Sequence, residues 1–193
     1  HACQPVVLDE IGRMQIMSPR FAKAAVALVA SEAPLLATMP YGDEWTRALT
    51  RQADVIVLTV EPGNHDQVLD TLKTMFGSLA VIQRMSDRRR EVVWELAKAY
   101  AAAGGFVQLG MLFGEALALA AGNKIHDIGE GSYTVLGNRS SHVVDGAPGV
   151  MSCDCDLASG RGQYAGQAGQ CAHMQAVLLY RSDADGAADS VYT

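Results

Sequence analysis

Four residues of metal-ligand type, set in two matched pairs, constrain this 193-residue chain more than any other feature: Cys153-x-Cys155, then fifteen residues, then Cys171-x-His173. Three of the four cysteines fall in this cluster, and the fourth is Cys3. Zinc takes four tetrahedral ligands of thiolate and imidazole type, and a Cys3His shell completes that set without water. Cys-x-Cys in a tight turn can bring two sulfurs to one ion, and Cys171-x-His173 at a helix entry can close the shell. The glycine-rich stretch between the pairs (Gly160, Gly162, Gly166, Gly169) can fold back at little steric cost. A redox pair more often shows Cys-x-x-Cys, which the chain lacks. Catalytic zinc keeps one position open, so four protein ligands predict a structural ion. Three inert buried cysteines beside a chance histidine are the competing reading. His126 and His142 read as surface or strand residues rather than ligands.

These residues resemble the SWIM-type zinc finger, whose signature is C-x-C-x(n)-C-x-H. The resemblance covers about residues 124–181. Tyr133-Thr134-Val135 and His142-Val143-Val144 are similar to that family's strand pair, and Cys171 to Leu179 to its closing C-x-H and apolar helix. It implies a ββα zinc module that binds DNA or other proteins. Charge selects between those partners. The chain carries 15 Lys+Arg against 21 Asp+Glu, a formal net charge of −6. Within 124–181, Lys124, Arg139, Arg161 and Arg181 face Asp127, Glu130, Asp145, Asp154 and Asp156, and three thiolates with one Zn²⁺ add a further negative charge. Proteins that hold DNA through its phosphates carry a basic excess. The charge therefore disfavours DNA and favours a protein partner. The basic run Arg88-Arg89-Arg90 reads as the exposed first turn of a helix.

The other end of the chain carries a different signal. Val6-Val7-Leu8 is a short apolar strand ending in Asp9-Glu10, the Walker B arrangement, in which the Asp orients Mg²⁺ and the adjacent Glu positions or deprotonates the attacking water. Leu8-Asp9-Glu10-Ile11-Gly12-Arg13-Met14, with Ser18-x-x-Phe21, resembles a family of small P-loop nucleoside-triphosphatases that has D-E-I-G at this point. The likeness spans about residues 5–72. It continues through a strand at 34–38 and a segment at 58–66, with Gln15 in place of an acidic residue and His65 in place of an arginine. The resemblance implies Asp9 as the Mg²⁺ residue and Glu10 as the water-activating one. The 193 residues contain no G-x-x-x-x-G-K-[ST], the loop whose backbone N–H groups cradle phosphates. In the family that loop precedes D-E-I-G. The expectation is therefore a fragment, favoured by a first residue that is His rather than Met, or a degenerate remnant. As it stands the chain is not expected to hydrolyse nucleotides.

Periodicity places these motifs. Ser18-Pro19 opens a helix as cap and first position, and helices are expected at about 44–52, from a cap at Asn64, at 86–103 and at 106–121. Val55 to Val60 is the clearest strand signal, six apolar or β-branched residues between Asp54 and Pro62-Gly63. Strand signals also stand at 133–136, 142–144 and 149–152. A last helix is expected at 174–180. Ser140-Ser141-His142 offers no acid that the sequence alone can pair with it.

The expected fold class is α/β, a partial P-loop NTPase-like parallel sheet, followed by helices and a small α+β zinc-binding module of ββα form. The expected domains are 1–76, the truncated NTPase-like segment; 77–123, a helical linker; 124–181, the zinc module; and 182–193, a disordered tail. The expected function is a zinc-binding protein-interaction module, with structural zinc held by Cys153, Cys155, Cys171 and His173. The alternative is a fragment of a Mg²⁺-dependent nucleoside-triphosphatase in which Asp9 and Glu10 are catalytic and Mg²⁺ and nucleotide are the cofactors. No apolar run approaches the roughly 20 residues that span a bilayer and no secretory signal is evident, so no membrane association is expected and the cytoplasm is the expected location.

Overall fold

The computed structural model describes residues 5–31, 33–51, 55–137, 140–147, 150–156, 158 and 171–189. The chain divides into two compact units, His1–Thr59 and Val60–Thr193.

In the first unit, β1 (Val6–Leu8) pairs in parallel with β2 (Leu35–Ala37), in the register Val6↔Leu35 and Leu8↔Ala37. Between them lie the short α1 (Arg13–Ile16) and α2 (Pro19–Val29). Ser18 caps α2 as expected, its side chain accepting from the Phe21 N–H with Pro19 in the first turn. After β2 comes α3 (Glu44–Thr50), capped by Asp43, which accepts from the Thr46 N–H at 2.7 Å. Ile11, Ala25 and Leu49 are the buried apolar side chains here among the described residues.

Val55–Val60 does not form the expected strand. It carries no ladder among the described residues, and Val57 and Val60 are exposed. Strand propensity expresses itself only where a neighbouring strand accepts the backbone hydrogen bonds.

The second unit begins with α4 (His65–Ile82), α5 (Asp87–Ala102) and α6 (Phe106–Met111). The last passes through one π-turn (Leu112–Ala116) into α7 (Leu117–Ala121). Asn64 precedes α4 but does not cap it. Its Oδ1 instead accepts from the Glu61 N–H at 2.8 Å, within the turn before the helix. The expected boundary near Phe76-Gly77 falls inside α4, which runs on unbroken. Gly104, at φ +68°, ends α5, and the Gly105 N–H returns to the Tyr100 carbonyl at 2.8 Å, a glycine C-cap.

An antiparallel sheet follows: β3 (Ile125–Gly129), β4 (Ser132–Leu136), β5 (Ser141–Ala147) and β6 (Val150–Cys153), in sequence order. The sheet has one strand more than the expected signals. β3 lacks a period-two apolar pattern because it is an edge with only Ile125 buried.

The last element is α8 (Ala172–Asp189). It packs on α5, on the π-turn and α7, and on all four strands. Val93, Ala97, Leu109, Leu112, Ala116, Val135, Val144, Ala176, Val177 and Leu179 are all fully buried around it. Residues 77–123 are thus partners of α8 in one core rather than a connector.

The helix also continues through Ser182, where composition suggested a disordered tail. Ser182 is buried and donates to the Leu179 carbonyl at 2.7 Å, and Asp183 pairs with Arg89 at 2.6 Å. Residues 190–193, and the loop residues 157 and 159–170, lie outside the described residues. No helix among the described residues is long and apolar enough to cross a membrane.

Candidate functional site

Each unit holds one of the two residue sets singled out from the sequence. In the first, Asp9 and Thr38 follow directly on β1 and β2. They stand together at the carboxyl ends of two parallel strands, where open α/β sheets present ligand-binding groups. Thr38 Oγ1 donates to Asp9 Oδ1 at 2.6 Å. The backbone continues the pairing, with Thr38 N–H to the Leu8 carbonyl at 3.1 Å and Ile11 N–H to the Thr38 carbonyl at 2.8 Å. Ile11, 2% exposed, anchors the turn from inside, while Asp9 and Glu10 remain exposed. The Glu10 carboxylate folds over Gly12. A Cβ at residue 12 would stand 2.6 Å from Glu10 Oε1 and 2.7 Å from Gln15 Oε1. Gly12 therefore leaves room for Glu10, and any side chain there would push the carboxylate away. Thr38 was not singled out from the sequence. The signal was its place one residue past a strand parallel to the Asp9 strand.

In the second unit, one ligand atom from each of Cys153, Cys155, Cys171 and His173 lies within 4.8 Å of the other three. Cys153 ends β6, Cys155 sits in the turn after it, and Cys171 immediately precedes α8, so the sheet edge and the helix entry converge. His173 Nδ1 is 3.8 Å from Cys153 Sγ and 3.9 Å from Cys171 Sγ. A tetrahedron with metal–sulfur bonds of about 2.3 Å and a metal–nitrogen bond of about 2.0 Å has nitrogen–sulfur edges of roughly 3.5 Å and sulfur–sulfur edges of roughly 3.8 Å. Donor type and spacing both fit a zinc ion. Cys155 and Cys171 are buried and Cys153 is half-buried.

Three thiols so close do not ionise alike. The hydrogen bond from the Cys153 thiol holds Cys171 down to about 4 against its burial, helped by His173 and by the Met174 N–H in the first turn of α8. Cys153 is pushed up by giving that hydrogen bond and by burial, and Cys155 is pushed up chiefly by burial. A dication held by these three sulfurs would draw off the thiol protons.

Beside this cluster the structure pairs residues that the sequence left apart. His142 Nδ1 lies 3.0 Å from Asp154 Oδ1, and its Nε2 lies 2.7 Å from Ser140 Oγ. Asp154 is the acid missing from the reading of Ser140-Ser141-His142. The β5–β6 register, with Val144 opposite Cys153, carries it to His142 across twelve residues of chain. Burial works against ionisation of Asp154. The hydrogen bonds from His142 and the Val143 N–H outweigh it and hold the carboxyl below its ordinary range. The His142 ring stacks on His173, centroids 4.3 Å apart. His126, on β3, is exposed.

The basic run splits by role. Arg88 pairs with Glu91 and Arg90 with Asp87 on the surface. Arg89 turns inward, its side chain 13% exposed, to Asp183 and to the carbonyls of Leu179 and Ala120. The expectation of a wholly exposed first turn fails at Arg89, because α8 offers that guanidinium an acid and a carbonyl.

The family model described as NTPase matches residues 1–73. Those residues are an NTPase-like segment. The chain is 33% identical over 75 residues to Nucleoside-triphosphatase THEP1 of Methanosarcina acetivorans, an alignment covering 39% of this chain and 43% of that protein. The chain therefore spans less than half the length of this curated relative. No solved structure matches the chain. The match to the NTPase family contains Asp9, Glu10 and Thr38 and ends well before the Cys153–His173 cluster. The SWIM-type resemblance gains no support from these comparisons.

Proposed function

We propose that this chain carries the acidic half of a Mg²⁺-dependent nucleoside-triphosphatase centre, with Asp9 holding the cation and Glu10 accepting a proton from the attacking water. The observation that carries this reading is the Asp9–Thr38 pair. A carboxylate and a hydroxyl join at the ends of two parallel strands, within the segment that resembles the NTPase family. Exposed oxygen donors at that position suit a hard cation such as Mg²⁺. Bound there, Mg²⁺ would offset charge on the phosphate oxygens. Thr38 fixes one oxygen of Asp9, and Gly12 leaves room for the Glu10 carboxylate. These 193 residues contain no G-x-x-x-x-G-K-[ST] motif, so the reading covers the acidic half of the centre and not its phosphate cradle. This reading displaces the interaction module that the cysteine pattern put first, because the comparisons favour it.

A second reading stands on its own observation, the four donor atoms within 4.8 Å. Zinc there would be structural, all four tetrahedral positions being filled by protein. The unit it organises would bind a protein partner, DNA being disfavoured by the acidic charge.

The test is triphosphate hydrolysis by the polypeptide encoded by the whole reading frame, with and without Mg²⁺, in the parent and in Glu10→Gln. The expected result is Mg²⁺-dependent hydrolysis that falls by about 10²–10⁴-fold in the variant, the usual contribution of a general base. No hydrolysis in the parent, or equal rates in parent and variant, would overturn the assignment.

A further inference from the structure

A histidine ligand must present one particular ring nitrogen to its metal, and rotation about the Cβ–ring bond decides which. In the Cys3His cluster it is Nδ1 of His173 that faces Cys153 and Cys171, at 3.8 and 3.9 Å. The ring stands at the entry of α8 and is half-buried, so the helix alone leaves that rotation open. What lies against it is the His142 ring, 4.3 Å away between centroids and inclined by 31°.

His142 is itself held at both nitrogens. Asp154 Oδ1 lies 3.0 Å from its Nδ1, and Ser140 Oγ lies 2.7 Å from its Nε2. Asp154 is fixed in turn. Its Oδ1 accepts from the Val143 N–H at 3.2 Å, and its own N–H donates to the Val143 carbonyl at 3.2 Å. Asp154 also sits between Cys153 and Cys155 in the chain. Hydrogen, carboxylate and stacking contacts therefore run without a break from the first cysteine pair, through β5, to the histidine of the second pair.

We propose that His142 and Asp154 are positioning residues for the metal centre, Asp154 clamping His142 and His142 locking the His173 ring with Nδ1 toward the thiolates. Ser140, His142 and Asp154 are linked through space in the order of a hydrolase triad. The ring face of His142, however, is spent on His173, and both its nitrogens serve to keep that face in place. Groups that orient a metal-bound imidazole typically change metal affinity by 10–100-fold when removed. The inference rests on the zinc reading of the cluster.

The experiment is cobalt(II) titration of the full chain, read in the visible d–d bands and the sulfur-to-cobalt charge-transfer band, followed by zinc competition. It compares the parent with His142→Ala, His142→Phe and Asp154→Asn. The parent is expected to give the intense d–d bands of a tetrahedral sulfur-rich site. His142→Ala is expected to lose about 10–100-fold in affinity and to shift the d–d bands. His142→Phe keeps a flat ring against His173 and is expected to recover most of that loss, with Asp154→Asn between the two. A residue that merely filled space would lower the melting temperature without moving the d–d bands. A tetrahedral parent spectrum that neither His142→Ala nor Asp154→Asn alters, with affinities within threefold, would overturn the positioning role alone. A parent with no tetrahedral cobalt spectrum would overturn the zinc reading, and the proposal with it.

Discussion

The two units differ in what holds them together. The first has two three-residue strands and a described apolar core of Ile11, Ala25 and Leu49, with Val7, Met14, Met17 and Tyr41 left exposed. The second buries a continuous set of side chains from Val68 to Leu179 around one helix. The unit that resembles an enzyme family is the thinner one. The unit with its own core is the one that gathers three thiols and an imidazole. A two-stranded sheet is marginal on its own, so the first unit has the weaker described framework, whereas the second, under the zinc reading, would gain a cation at its cysteines. Resemblance to a catalytic family and self-sufficiency as a fold thus belong to different parts of this molecule.

The largest expected effect bears on the second unit alone. Zinc removal, or Cys171→Ser, should destabilise it by at least about 3 kcal/mol, a fraction of the roughly 10–16 kcal/mol of structural zinc sites. Thermal melts followed by far-UV circular dichroism with and without chelator measure this, and loss of signal from the first unit as well would break the comparison. Leu179→Ala, at a fully buried position on α8, should cost about 2–5 kcal/mol in urea unfolding. Arg89→Ala should cost about 2 kcal/mol, since it removes charge-assisted hydrogen bonds to Asp183, Leu179 and Ala120. A cost near zero would mean that α5 and α8 are not tied through that guanidinium.

Gly77→Ala should raise stability by about 0.5–1 kcal/mol. A Cβ there meets nothing within 4 Å, and alanine lowers the entropy of the unfolded chain. A loss of stability would show that α4 needs the glycine.

The smallest effect belongs to the first unit and is set by pH. The Thr46 N–H and hydroxyl hold Asp43 below the ordinary carboxylate range. A depressed native pKa contributes stability that is complete above the unfolded carboxylate value near 4 and is lost as pH falls through the native value. The Thr46 amide signal, followed by NMR from pH 6 to pH 2, should shift late in that range. Titration at the ordinary carboxylate pKa would contradict the cap.

Much of this was legible in the sequence, and what was not has physical reasons. Ser18-Pro19, the glycine stop after α5 and the helices at 86–103 and 106–121 are local signals, and local hydrogen bonds realise them. The Cys3His pattern was legible because spacing alone limits where four donors can meet. Val55–Val60 reads as a strand but has no ladder, since strand propensity says nothing of a neighbour's presence. β3 was missed because an edge strand needs no apolar alternation. The continuation of α8 past Ser182 and the inward turn of Arg89 are tied to contacts distant in sequence, among them Arg89–Asp183, which spans 94 residues of chain. The pairing of His142 with Asp154 follows from the β5–β6 register, which composition does not encode.

Hydrogen–deuterium exchange of the full chain, with one equivalent of zinc and again with chelator, most directly tests the claim that a cation organises the second unit and not the first. The account predicts that chelation speeds exchange in β4, β5, β6 and α8 by more than tenfold and leaves residues 5–51 unchanged. Equal acceleration in both units, or none in α8, would contradict it.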